Sequence, residues 1–180
     1  LFFALATRDG TPGWVGQITS NSFMKREFGK KLIEQFLAGH YPNNPVDLTT
    51  VIDTSGAYIP GHGTPTVILV GRARRPEGDS VRAVLGIRGE PGQPEDPAKG
   101  LVWSEIAQLA DAGPSEGSYV TVAAPARHTL SSHPWSLSGG SASGVKAQLD
   151  AAPERMSQRW AECGFGAITG EDDAFALPRS

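Results

Sequence analysis

Between Val46 and Gly71 the chain holds two β-type apolar runs, Leu48–Ile52 and Thr66–Val70, joined by a loop that contains Gly56, Pro60, Gly61, Gly63 and Pro65. So many breakers exclude a crossover helix from that connection. A parallel return would need a dozen or more residues, usually helical, so the two runs are expected to pair antiparallel. Upstream, Val15–Thr19 is short, rich in β-branched residues and flanked by turn residues, which predicts a strand. The polar turn Ser20-Asn21-Ser22 follows. Phe28, Leu32, Ile33, Phe36 and Leu37 then recur at spacings of three and four, predicting an amphipathic helix from about Met24 to Ala38 that Gly39 closes. Strand, turn, helix, strand, glycine loop, strand is the order of the second half of an α/β nucleotide-type domain.

The 180 residues suit about one domain, and the 22 Gly and 14 Pro predict frequent interruption of regular structure. A formal charge of −3 excludes a uniformly basic nucleic-acid binder but leaves room for a basic face. The single cysteine, Cys163, excludes an internal disulfide and a cysteine-rich zinc site, and suits a reducing cytoplasm. No apolar run approaches the ~18 residues of a membrane span. Leu1–Ala6 is apolar but too short for a signal peptide and lacks a basic start. Leu1–Arg8 reads as the last turns of a helix, so the chain is expected to be a piece of a longer one.

Beyond the Arg72-Ala73-Arg74-Arg75 run the texture changes. Strands are expected at Val81–Arg88 and Tyr119–Ala124, and a short helix at Leu101–Ala110. Ser131–Gly144 reads as surface anchored by Trp135. Helical composition marks Val145–Cys163, with Pro153 breaking it or starting a second helix, and Phe165–Thr169 could add a strand.

The loop Gly56-Ala57-Tyr58-Ile59-Pro60-Gly61-His62-Gly63-Thr64 is not a Walker loop, because His62 stands where the lysine is required and a strand follows. It reads either as a structural hairpin or as a functional loop, with Tyr58 offering a flat face for stacking. Ser20, Asn21 and Ser22 lie at the carboxyl end of a strand, where open α/β sheets bind ligands. The alternative is helix capping, with Asn21 or Ser22 accepting a backbone N–H. Lys25, Arg26, Lys30 and Lys31 could lie along phosphates or form a solvated face. The histidines His40, His62, His128 and His133 show no metal spacing, and no G-x-S-x-G elbow is present.

Val15-Gly16-Gln17-Ile18-Thr19-Ser20-Asn21-Ser22-Phe23-Met24-Lys25, followed by Phe28-Gly29-Lys30-Lys31-Leu32, resembles the segment after the Asn-Pro-Pro-Tyr strand of adenine-specific DNA methyltransferases. Val51-Ile52-Asp53 through Thr64–Leu69 resembles the next two strands of those enzymes. The nearest likeness is to the large methyltransferases of BREX-type phage-resistance systems, the PglX-like group, which have similar continuations at Gly86–Pro91 and Asp96–Trp103.

The resemblance implies the distal half of a Rossmann-like class I methyltransferase sheet. In such a sheet the antiparallel last strand, Thr66–Val70, lies between Val15–Thr19 and Leu48–Ile52. Residues 1–75 would complete the catalytic domain, and residues 76–180, a mixed α+β extension, would begin a target-binding region. The implied chemistry is methyl transfer from S-adenosylmethionine to the exocyclic amine of adenine, on a base taken out of the DNA stack. Tyr58 would pack on that base, with His62 as a second base or phosphate contact. Ser20, Asn21 and Ser22 would face the substrate, and Lys25, Lys30 and Lys31 the DNA backbone. Neither Asn-Pro-Pro-Tyr nor the glycine-rich cofactor loop occurs in these residues, so no catalytic group can be carried over and the chain by itself is expected to be inactive. A non-catalytic DNA-binding or adaptor module with a degenerate methyltransferase fold is the competing reading. DNA is the expected partner, with other phage-defence proteins possible and no membrane.

Overall fold

A computed structural model describes residues 2–137, 139–140, 144–145, 148–149 and 151–159. Its organising element is a sheet of six strands: β1 (Trp14–Ser20), β2 (Asp47–Asp53), β3 (Thr66–Arg72), β4 (Arg82–Gly86), β5 (Ser115–Glu116) and β6 (Val120–Ala123). Their spatial order is β1-β3-β2-β4-β6-β5. As the sequence led us to expect, β3 runs antiparallel to both β1 and β2 and lies between them. The β2–β4 pair is parallel, and the pairs formed by β6 with β4 and β5 are antiparallel, so the sheet is mostly antiparallel. Strands from beyond residue 75 continue the same sheet. The chain divides into two compact units, Leu1–Gly144 and Val145–Ser180. In the second, a short helix spans Met156–Arg159, while the strand expected at residues 165–169 lies outside the described residues.

Two layers cover the sheet. On one face Val51, Val67 and Leu69 pack with Phe23, Ile33, Leu37, Leu130 and Trp135. The other face is covered by the helix Leu101–Leu109, which sets Val102 and Ile106 against Val84, Val120 and Val122. That cover is partial. Ile18, Ile68, Ile52 and Val84 are successive register partners across the sheet, and directly paired residues share a face. Val84 is fully buried, whereas Ile18 is 56% exposed, so the helix stops short of β3 and β1.

The helix expected over residues 24–38 is not continuous. Asn21–Met24 and Glu27–Gly29 are 3-10 turns, and Leu32–Leu37 forms a π-helical segment. Arg26 between them is extended, at φ −89° and ψ 145°. Gly29 supplies the reason, because a Cβ there would lie 1.8 Å from the Phe23 carbonyl oxygen. The chain folds back on itself at a place only glycine fits. The wider turns appear in bonds five residues long, from Ala38 N–H to the Ile33 carbonyl and from His40 N–H to that of Gln35. Ile33 and Leu37 remain buried as the apolar spacing required, but Phe28, expected on the same stripe, is 68% exposed.

Candidate functional site

Three loops meet at the carboxyl ends of β1, β2 and β4, and backbone hydrogen bonds tie them to one another. The first turn after β1 is fastened to the entry of β3 by Asn21 N–H donating to the Pro65 carbonyl, at 3.0 Å. Thr54, at the exit of β2, donates its N–H to the Thr66 carbonyl, and their buried hydroxyls lie 2.7 Å apart. The Asp53 carboxylate accepts the Ser55 N–H at 2.9 Å, turning the chain into the glycine loop. Glu90 joins that loop to the following region. Its N–H donates to the Gly56 carbonyl at 2.9 Å, while its carboxylate accepts the first N–H groups of the helix, Leu101 at 3.0 Å and Val102 at 2.7 Å. Those helix N–H groups have no partner inside the helix, so the carboxylate satisfies them directly.

These ties shape an apolar cleft of about 290 Å³. Tyr58, Ile59 and Pro60 of the β2–β3 loop line it together with Pro97, Ala98 and Trp103 at the start of the helix, and with Ile18, Thr54 and Ala57. The cleft opens where the helix ceases to cover the sheet. Tyr58 is half-buried in it. His62, expected as a second contact, is exposed at the loop tip, where its N–H donates to the Ile59 carbonyl, and it does not line the cleft.

A second cleft is lined by Asn21, Ser22, Met24, Lys25 and Arg26. Capping falls to Ser20 rather than to Asn21 or Ser22, since Ser20 Oγ accepts the Ser22 N–H at 3.3 Å and pairs with the Ser22 hydroxyl at 2.9 Å. Ser20 begins the turn, so its side chain is the first that can reach back to the free N–H groups. Lys25 and Arg26 are exposed and carry no carboxylate partner among the described residues. Lys30 is exposed, and Lys31 lines a different cleft with Leu32, Phe36 and Tyr41. Because the helix breaks between Arg26 and Gly29, the cations expected on one helical face are divided.

Trp103 and Pro97 were not legible as site residues. The spacing of Val102, Ile106 and Leu109 marks the buried side of the helix, but only its placement against β4 and β6 carries Trp103 across to Tyr58. No group of residues able to hold a metal occurs among the described residues. The carboxylates near the site brace its loops: Asp53 Oδ1 accepts the Ser55 N–H, and both Glu90 oxygens accept from the helix.

The antiparallel β3 between β1 and β2 is the strand order that the resemblance to adenine-specific methyltransferases implied for these residues. The chain is 47% identical over 188 residues to a protein of Streptomyces coelicolor, the Adenine-specific methyltransferase PglX. The match takes in 99% of this chain and 15% of that protein, so the chain spans about a seventh of the relative's length and is similar to that segment of it. No protein-family profile matches it. No helix among the described residues is long and apolar enough to cross a membrane.

Proposed function

We propose that this chain is the target-base side of an S-adenosylmethionine-dependent, adenine-specific DNA methyltransferase that works in the cytoplasm in phage defence. The reading is supported above all by Tyr58, whose ring stands in an apolar cleft in the β2–β3 loop, where the resemblance implied a base-stacking aromatic. The strand order further supports the distal half of a Rossmann-like sheet. In this reading residues 1–75 complete the catalytic domain and the region from residue 76 begins target recognition. Ser20, Asn21 and Ser22 border the substrate. Lys25, Lys30 and Lys31 meet backbone phosphates, and His62 is free to approach from the loop tip. The cofactor is held by other parts of the full-length enzyme and supplies the methyl group. The chain's own part is to receive an adenine drawn out of the duplex and keep its exocyclic amine presented.

In the full-length enzyme, Tyr58→Ala is expected to lower methylation by about five- to a hundredfold, since a base stacked on an aromatic ring is worth about 1–3 kcal/mol. Tyr58→Phe should be nearly silent. A mismatched target adenine is already loosely stacked, so part of the Tyr58→Ala defect should be recovered on that substrate. Equal loss on matched and mismatched DNA, together with a lowered melting temperature, would make Tyr58 a core residue and remove the main support for this function.

The 180-residue chain alone should neither bind S-adenosylmethionine in calorimetry nor transfer methyl groups to DNA. Binding at concentrations that saturate the full-length enzyme would contradict the division of labour proposed above.

A further inference from the structure

Six tyrosines and tryptophans fall among the described residues, and four of them have visible employment. Trp135 donates its indole N–H to the Leu130 carbonyl and packs edge-on against Phe23. Trp14 lies under the Arg72 guanidinium and Tyr119 under that of Arg88, while Tyr41 packs on Phe36. The remaining two are Tyr58 and Trp103. Neither makes a ring contact, and neither the Tyr58 hydroxyl nor the Trp103 indole N–H has a protein partner among the described residues. Both line the same apolar cleft, Tyr58 from the β2–β3 loop and Trp103 from the helix.

We infer that Trp103 is the second base-contacting wall of this cleft, which takes one unstacked nucleobase of a DNA strand against Tyr58 and Trp103. The inference rests on the proposed function and adds to it a specificity residue contributed by the region that follows the catalytic half. A flat heteroaromatic ring matches the two free faces, and the unpaired indole N–H and phenol can meet its polar edge. A DNA strand is favoured over a free apolar ligand by charge. Lys25 and Arg26, exposed and without carboxylate partners among the described residues, follow closely on Asn21. Asn21 is three residues past Ile18 of the cleft, about 10 Å at strand rise. In this proposal the phosphates that flank a base in the cleft run toward these cations at the end of β1. Glu90 is the positioning residue, because its backbone holds the Tyr58 loop while its carboxylate holds the helix that carries Trp103.

The test compares binding of the full-length protein to a single-stranded oligodeoxynucleotide and to an abasic strand of equal length, whose ratio isolates base contacts from phosphate attraction. Trp103→Ala is expected to reduce that ratio by about five- to a hundredfold while leaving abasic affinity unchanged, and Trp103→Phe should preserve most of it. If Tyr58→Ala reduces the ratio and Trp103→Ala does not, the inference falls and the proposed function stands. If neither variant changes it, both fall. Equal loss on both strands from Trp103→Ala, with a lowered melting temperature, would assign Trp103 to the fold alone and overturn the inference.

Discussion

Replacing Asp47 with alanine is expected to cost the fold about 3 kcal/mol, at the lower end of the ~3–5 kcal/mol measured when one member of a buried ion pair is removed. Asp47 is 1% exposed at the start of β2, and each of its carboxylate oxygens is engaged. Oδ2 accepts from Arg74 Nε at 2.9 Å and Oδ1 from Arg127 Nη2 at 3.0 Å. Arg127 also donates to the carbonyls of Leu48, Glu77 and Gly78, so one guanidinium ties β2, the β3–β4 connection and the turn at residues 127–131 together. Without the carboxylate, two guanidinium groups face each other with no charge between them. The cost stays at the low end because both keep other acceptors, including Glu77 for Arg74. Asp47→Asn retains the shape and one acceptor and should cost less, about 1–3 kcal/mol. Amide hydrogen exchange in β2 and β3 of the full-length protein reads the effect as local stability. A loss below about 1 kcal/mol for Asp47→Ala would mean that the cluster is effectively a surface interaction.

None of this cluster was legible in the sequence. Asp47, Arg74 and Arg127 are far apart along the chain, and no spacing rule joins residues whose meeting depends on three separate strand connections. The sheet was more legible because its signals are local. Breakers between Leu48–Ile52 and Thr66–Val70 fix the sense of their pairing, and the β-branched run at Val15–Thr19 marks a strand whatever surrounds it. The helix of residues 24–38 shows the limit of such signals. Its apolar period is real, since Ile33 and Leu37 are buried, but one close approach at Gly29 breaks the helix and divides the cations that one face would have carried. The candidate site was half visible for the same reason. Tyr58 is marked by its own loop, whereas Trp103 becomes its neighbour only because Glu90 fastens two loops and the helix covers part of one sheet face.

Trp135→Ala should produce the other large loss, about 3–5 kcal/mol, the range for deleting a buried aromatic side chain. The residue comes from a Ser/Gly-rich stretch with little else to bury, yet it is 1% exposed in the layer opposite the candidate cleft. Three interactions hold it: edge packing on Phe23 at 5.8 Å between centroids, its indole N–H to the Leu130 carbonyl at 2.9 Å, and its backbone N–H to the Met24 carbonyl at 2.8 Å. Trp135→Phe would refill part of the volume but leave the buried Leu130 carbonyl unpaired, for an intermediate cost of about 1–3 kcal/mol. The loss should appear as faster hydrogen exchange around residues 21–37 and 127–135, because Phe23, Met24 and Ile33 share that core. It should leave the base-dependent binding ratio unchanged in protein that remains folded, since Trp135 and Trp103 pack on opposite faces of the sheet. Trp103→Ala should do the converse, weakening base contact with little effect on stability. If both tryptophans affected stability and base binding alike, the two faces would not be separable, and the division of this sheet into a structural layer and a ligand-facing layer would be wrong.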